Sequence, residues 1–248
     1  MSVDLSTSLG NLQLAAPTLT ASGCAAAGRE LAQFGDVSSL GAVVTKSIML
    51  NPRSGRATPR MAETPSGMLN SIGLQGPGLD AFLEKDLSWL TENNVTTIVS
   101  IAGGSVDEFR EIAIRLRDIP GIAGLEVNIS CPNVESRGQV FACDPNSASA
   151  VIEAVRSEWT SSAPILAKLS PDVTDIVTIA RSVADAGADG VSMINTLLGM
   201  VIDVDNMRPL LGGRTGGLSG PAIRPVAVRA VYQVHAALPD LPILGMGG

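Results

Sequence analysis

Short apolar runs rich in β-branched residues alternate along this chain with stretches of helical periodicity, and that alternation constrains the fold more than any single residue. The strand candidates are Pro17–Ser22, Ala42–Ser47, Thr96–Ala102, Gly124–Ser130, Ile165–Leu169, Gly190–Asn195 and Pro242–Met246. Between them Leu79, Phe82, Leu83, Leu87 and Leu90 recur at helical spacing, as do Ile176, Ile179, Ala180 and Val183 after Thr174, an N-cap candidate. Further helices fit Val106–Arg117, Ser147–Glu158 and Pro225–Ala237. Repeated βα units built from Ala, Val, Ile and Leu predict a parallel sheet covered on both faces.

Such a sheet is either open or closed. A single domain of 248 residues matches the usual size of a (β/α)8 barrel, about 250 residues. No Gly-rich dinucleotide fingerprint opens the first helix, and the unusual polar residues fall at strand C-termini, which converge on one site in a barrel. The expectation is therefore an α/β TIM barrel. Its long connections, Ile48–Asn94, Cys131–Asn146 and Thr196–Ala222, each leave the C-terminal end of a strand, where functional loops sit. Pro242–Gly248 reads as the seventh strand and the start of a glycine turn, so the chain reads as a barrel lacking its last helix and strand units.

Charge narrows the partners. With Lys+Arg 17 against Asp+Glu 24, the net charge of -7 disfavours nucleic acid and anionic membranes. No apolar run reaches the ~18 residues of a membrane span, and Met1–Gly10 lacks a signal-peptide pattern, so the expected location is cytoplasmic. Cys24, Cys131 and Cys143 form no CxxC pair, so no metal site is expected on this chain. The single histidine, His235, lies in a helical stretch away from every motif and reads as a surface or packing residue.

The sharpest motif is Asn128-Ile129-Ser130-Cys131-Pro132-Asn133, leaving a strand for a long loop. A thiol with a reference pKa of about 8.5 serves as acid or base near neutrality, and flanking amides suit a flat ligand with carbonyl and N–H groups. A buried structural cysteine between turn asparagines is the plainer alternative. Lys46 and Lys168 lie in apolar strand segments, where a cation is costly unless it meets an anion or snorkels to solvent. Asn70, in Asn70-Ser71-Ile72-Gly73-Leu74, and Asn195-Thr196 add amides from other segments, sufficient with Asn128 and Asn133 to bond the edges of one pyrimidine-like ring. Gly216–Pro221 before a helix, and Gly247-Gly248 after the last strand, are candidate phosphate loops.

Thr45-Lys46-Ser47, Glu63-Thr64-Pro65, Asn70–Leu74, Asn128–Asn133, Lys168–Pro171, Ile194-Asn195-Thr196, Gly216–Pro221 and Gly245–Gly248 together resemble, in order and across the chain, the class 1 dihydroorotate dehydrogenases. The loop from Cys131 to Pro145 resembles the NAD-linked type more than the fumarate-using type. Dihydropyrimidine dehydrogenases are similar but read Cys-Pro-His where Asn133 stands here.

The resemblance implies an FMN enzyme that converts dihydroorotate to orotate in pyrimidine biosynthesis. It further implies a homodimer with a second subunit carrying FAD and a [2Fe–2S] cluster. Cys131 matches the base that takes the C5 proton while C6 gives hydride to FMN. Asn70, Ser71, Ile72, Gly73, Leu74, Asn128, Asn133, Asn195 and Thr196 match the substrate contacts, with Lys46 touching substrate and flavin. Lys168 matches a cation near the flavin's pyrimidine end; Ser22, Ser47, Asn128, Ile194, Gly220, Gly247 and Gly248 match further FMN contacts. Ile101 stands where many relatives carry an asparagine, so one polar flavin contact is expected to be lost. Against this stand a fumarate-dependent enzyme and a non-catalytic barrel fragment that binds no flavin.

Overall fold

A computed structural model of the chain describes residues 3–130, 132–133 and 139–248. A hairpin of β1 (Thr7–Leu9) and β2 (Leu12–Leu14) comes first, then β3 (Val43–Val44) and a second hairpin, β4 (Met61–Thr64) with β5 (Gly67–Asn70). Helix α1 (Leu79–Ala81) continues through a π-helical stretch, Phe82–Leu87, into α2 (Ser88–Glu92). There follow β6 (Thr97–Ile101), α3 (Val106–Leu116), β7 (Gly124–Asn128), the short pair β8 (Pro132–Asn133) and β9 (Gln139–Val140), and α4 (Pro145–Glu158). Next are β10 (Ile165–Leu169), α5 (Ile176–Asp185) and β11 (Gly190–Met193). The short strands β12 (Leu197–Gly199), β13 (Ile202–Asp203), β14 (Arg208–Pro209) and β15 (Gly216–Ser219) precede α6 (Arg224–Ala237) and β16 (Ile243–Gly245).

The six strands β16-β11-β10-β7-β6-β3 pair in that order, every pair parallel, as a curled half-barrel sheet. Because side chains alternate along a strand, each strand serves two cores. Val99, Ile101, Leu125, Val127, Ile165 and Ala167 pack outward into one cluster with Phe109, Ile112, Ile152 and Val155 of the helices. Val44, Ile98 and Leu166 pack inward, on a separate cluster that includes Leu9 and Leu14 of the first hairpin. That hairpin thus buries two leucines against the sheet's inner face, each contributing roughly 1.5–3 kcal/mol.

The same alternation overturns the expectation for Ile101. Its side chain is fully buried among the helix-facing residues, and the site-facing residue of this strand is its neighbour Ser100. Two further expectations are corrected. Pro17–Ser22 is no full strand: it contributes one parallel bridge, Leu19 to Ala42. Pro17 has no N–H for a ladder, and the Val44 N–H is taken by the Thr20 hydroxyl (3.0 Å) in place of a main-chain carbonyl. The N-cap of α5 is Asp175, not Thr174: its carboxylate accepts from Val177 N (2.9 Å) and Thr178 N (3.3 Å).

The long connections fold onto each other. An antiparallel sheet in the order β12-β15-β5-β4 joins the segment after β3 to the segment after β11, with Asn70 opposite Gly217. Asn70 and Asn195-Thr196 are therefore carried by one continuous platform. Gly217 lies directly beneath Thr196, where a Cβ would fall 2.0 Å from the threonine hydroxyl, so only glycine admits this approach.

Candidate active site

At the C-terminal ends of β3, β6, β7 and β10, inward-facing polar side chains form one connected chain. Ser47 is buried and lies 2.9 Å, oxygen to oxygen, from Ser100. Ser100 donates to Glu126 Oε1 at 3.0 Å, and its own backbone N–H is accepted by Thr45 Oγ1 at 3.1 Å. Glu126 is 0% exposed, and its Oε2 lies 3.5 Å from Nζ of Lys168, itself 4% exposed. Lys168 Nζ also reaches Met246 Sδ at 2.8 Å. Toward the surface, Asn128 Nδ2 donates to Ser47 Oγ at 3.0 Å, and Ser22 Oγ lies 3.4 Å from the same oxygen. Asn195 Nδ2 donates to Asn128 Oδ1 at 3.3 Å, while Asn195 Oδ1 accepts from Thr196 N at 2.8 Å.

The structure therefore gathers Ser22, Ser47, Asn128, Lys168, Asn195 and Thr196 of the expected site into one network. It also adds Glu126 and Ser100, which the motif reading passed over. The signal for Glu126 was present: an acid inside the otherwise apolar Gly124-Leu125-Glu126-Val127 demands a buried partner. Lys168, read as free to meet an anionic ligand, has an internal counter-ion in Glu126.

Lys46 is different. It is half-buried just beyond β3, on a cavity of about 560 Å³ that it shares with Ser47, Arg53, Gln75, Phe82 and Asp86. Burial, reinforced by the Arg60 guanidinium, holds its ammonium below the ordinary lysine range. Burial pushes the Asp86 carboxyl up, with Arg29 opposing. An anion against Lys46 would relieve this desolvation.

The Asn70–Leu74 segment is gripped by arginines. Arg53 Nε donates to Gly73 O (2.9 Å), Arg56 N to Ile72 O (3.1 Å), Arg56 Nη1 to Ser71 Oγ (3.3 Å), and Ser71 N to Arg60 O (2.7 Å). Gly73 and Leu74 both take positive φ, +75° and +54°, producing the tight turn. Asn70 Nδ2 donates to Gly217 O at 3.3 Å, and its carbonyl has no partner among the described residues.

Ile194 is buried beside Gly247, whose added Cβ would stand 3.2 Å from the isoleucine and 3.0 Å from Ala227. Gly248 abuts Arg224 in the first turn of α6, and Gly220 (φ +95°) caps the turn leading into that helix. The glycine loops thus flank one helix start, a cradle that side chains would fill and that suits a phosphate. Ser192 Oγ, buried, has no hydrogen-bond partner among the described residues. These features fit FMN. Cys131 and the Asn133 side chain lie outside the described residues; the backbone of Pro132–Asn133 pairs antiparallel with Gln139–Val140. Among the described residues no group of three or more His, Cys, Asp or Glu could hold a metal, and no helix is long and apolar enough to cross a membrane.

A parallel sheet with its polar side chains gathered at the strand C-termini, roofed by long connections, defines an α/β-barrel enzyme. The model of the dihydroorotate dehydrogenase family matches residues 4–248. A "dihydroorotate dehydrogenase B (NAD(+)), catalytic subunit" from Desulforudis audaxviator is 52% identical over 248 residues, 100% of this chain and 80% of the relative. One of the same description from Geobacter sp. (strain M21) is 49% identical over 245 residues, 99% of this chain and 79% of the relative. A dihydroorotate dehydrogenase from Eimeria tenella, solved in complex with ferulenol, superposes with a TM-score of 0.77 at 21% identity, covering 97% of this chain and 72% of that one. The chain belongs to the dihydroorotate dehydrogenase family and is an oxidoreductase.

Proposed function

We propose that this chain oxidises (S)-dihydroorotate to orotate in pyrimidine biosynthesis. FMN, when bound, supplies the hydride acceptor, and the two electrons pass to NAD+ through a separate subunit carrying FAD and a [2Fe–2S] cluster. The single observation that carries the reading is the network joining Asn128, Asn195 and Thr196 to Ser47 and Lys168. It joins the amides proposed to bind the ring to a buried cation.

Cys131, three residues beyond Asn128, removes the C5 proton as its thiolate while C6 releases hydride; the ring gains the C5–C6 double bond and charge balances. Asn70, Asn128, Asn133, Asn195 and Thr196 hold the ring, with Ser71–Leu74 as backbone contacts. Lys46 receives the substrate's carboxylate, consistent with the strain that burial places on its ammonium. Lys168, held by Glu126, offers positive charge where the cofactor becomes more negative. Gly220, Gly247 and Gly248 hold its phosphate, and Ser22, Ser47 and Ile194 line its ring system. The acceptor assignment rests on the relatives' description, and the reading includes a cytoplasmic homodimer assembled with the electron-transfer subunit.

An absorption spectrum before and after anaerobic dihydroorotate tests this. A flavin band that bleaches on addition is the expected result. A protein that stays colourless with added FMN would leave the family assignment standing and remove the catalytic one. An acceptor assay on the assembled complex separates NAD+ from fumarate.

A further inference from the structure

We infer that Glu126 is a positioning residue whose buried charge fixes the direction of the hydroxyl chain that meets the site's amides. That direction agrees with the backbone donors Ser130 N and Thr196 N, so that Asn128 and Asn195 present N–H groups to a ligand rich in acceptors, a ring bearing carbonyls and a carboxylate. The inference rests on the reading of the site given above and deepens it.

A carboxylate ion-paired with Lys168 offers only acceptors. Ser100 Oγ, 3.0 Å from Glu126 Oε1, must donate to it, which uses the one proton that hydroxyl has. The 2.9 Å contact between Ser100 and Ser47 then requires Ser47 as the donor. Ser47 is left with lone pairs alone, so it accepts from Asn128 Nδ2 at 3.0 Å and from the Ser22 hydroxyl at 3.4 Å. Asn128 is locked with its nitrogen toward Ser47 and its carbonyl the other way. There the carbonyl accepts from Ser130 N at 3.2 Å and from Asn195 Nδ2 at 3.3 Å. Asn195 agrees, because its own carbonyl already accepts from Thr196 N at 2.8 Å.

Each amide then retains one N–H without a partner in this network. The opposite setting would put the Asn128 carbonyl against a serine oxygen with no proton to give, an acceptor facing an acceptor. Without a charge at position 126 the hydroxyl chain can run either way, and the Asn128 amide loses the support of Ser47 and is held by Ser130 N and Asn195 alone.

The test uses the 15N-labelled full chain as wild type, Glu126→Gln, Ser100→Ala and the double variant. Side-chain amide signals of Asn128 and Asn195 are recorded without ligand, and orotate affinity is then titrated. In wild type the two protons of each amide are expected to be well separated in shift, one hydrogen-bonded and one not. In both single variants that separation shrinks, and orotate binds about tenfold more weakly, the scale of one net hydrogen bond. The double variant is expected to be no weaker than the worse single, because both changes cut the same relay. Signals and affinity of Ser100→Ala indistinguishable from wild type would overturn the inference, as would additive losses in the double variant. Should Glu126→Gln fail to fold, Ser100→Ala decides alone, since it leaves the Glu126–Lys168 pair in place. If wild type binds no orotate, the dihydroorotate reading fails, and the ligand-free amide signals still decide the polarity.

Discussion

Glu126 of β7 and Lys168 of the neighbouring β10 face each other inside the sheet, Oε2 to Nζ at 3.5 Å, with almost no solvent on either. Both residues interrupt runs that are otherwise apolar, and each removes the cost the other would carry alone. The pair also stands below the amides of Asn128 and Asn195, so its integrity bears on stability and ligand binding together.

Breaking one side should therefore be costly. Lys168→Met strands a buried carboxylate and is expected to lower unfolding free energy by about 3–5 kcal/mol, read from denaturant titration. Adding Glu126→Gln to that variant should recover part of the loss. A Lys168→Met protein as stable as wild type would mean that the pair does not carry this load.

Lys46 gives a pH signature. Its folded-state pKa lies below the ordinary lysine value, first through burial and then through Arg60. Between the two values the unfolded chain binds more protons, so this residue makes stability rise with pH across the alkaline window below about 10.4. A carboxylate ligand favours the charged form, so orotate affinity should fall as pH rises through the free-state pKa of Lys46. Both trends should vanish in Lys46→Met; affinity that is flat with pH in wild type would remove Lys46 from the anion's contacts.

Cys131→Ser should retain bound flavin but slow its reduction by dihydroorotate by at least ~10²-fold at neutral pH, the usual scale of losing a positioned base. Stopped-flow absorbance under anaerobic conditions measures this. An unchanged rate would take Cys131 out of proton transfer.

Gly247 has φ +116°, and a Cβ there would crowd Ala227 at 3.0 Å and Ile194 at 3.2 Å. Gly247→Ala should cost roughly 1–3 kcal/mol in strain and reduce flavin retention on gel filtration. Gly245→Ala, where the nearest atom to a new Cβ is Val231 Cγ2 at an ordinary 3.7 Å, serves as the tolerated control. Equal behaviour of the two would argue against a tight glycine turn at the phosphate loop.

Much of this was legible from pattern. The apolar runs at Thr96–Ala102, Gly124–Ser130, Ile165–Leu169 and Gly190–Asn195 contain the central strands, and Val106–Arg117 and Ser147–Glu158 match α3 and α4 to within two residues at each end. Pro17–Ser22 misled because β-branched content says nothing about which groups complete a ladder; there a threonine hydroxyl took the main chain's place. Ile101 misled because alignment to a motif does not reveal strand parity, and one residue's shift turns a side chain from the site to the helix layer.

By itself the sequence determined the βα alternation, the segments that bear amides, lysines and glycines, and the family those segments resemble. Those are properties of residue type and spacing, which local periodicity and turn chemistry express directly. Only the tertiary structure decided that Lys168 is paired with Glu126, that Ser100 rather than Ile101 faces inward, and that Asn70 and Asn195 ride on one platform. Those facts depend on register between strands far apart in the chain, and register is set by the packing of two cores at once, which no single segment contains.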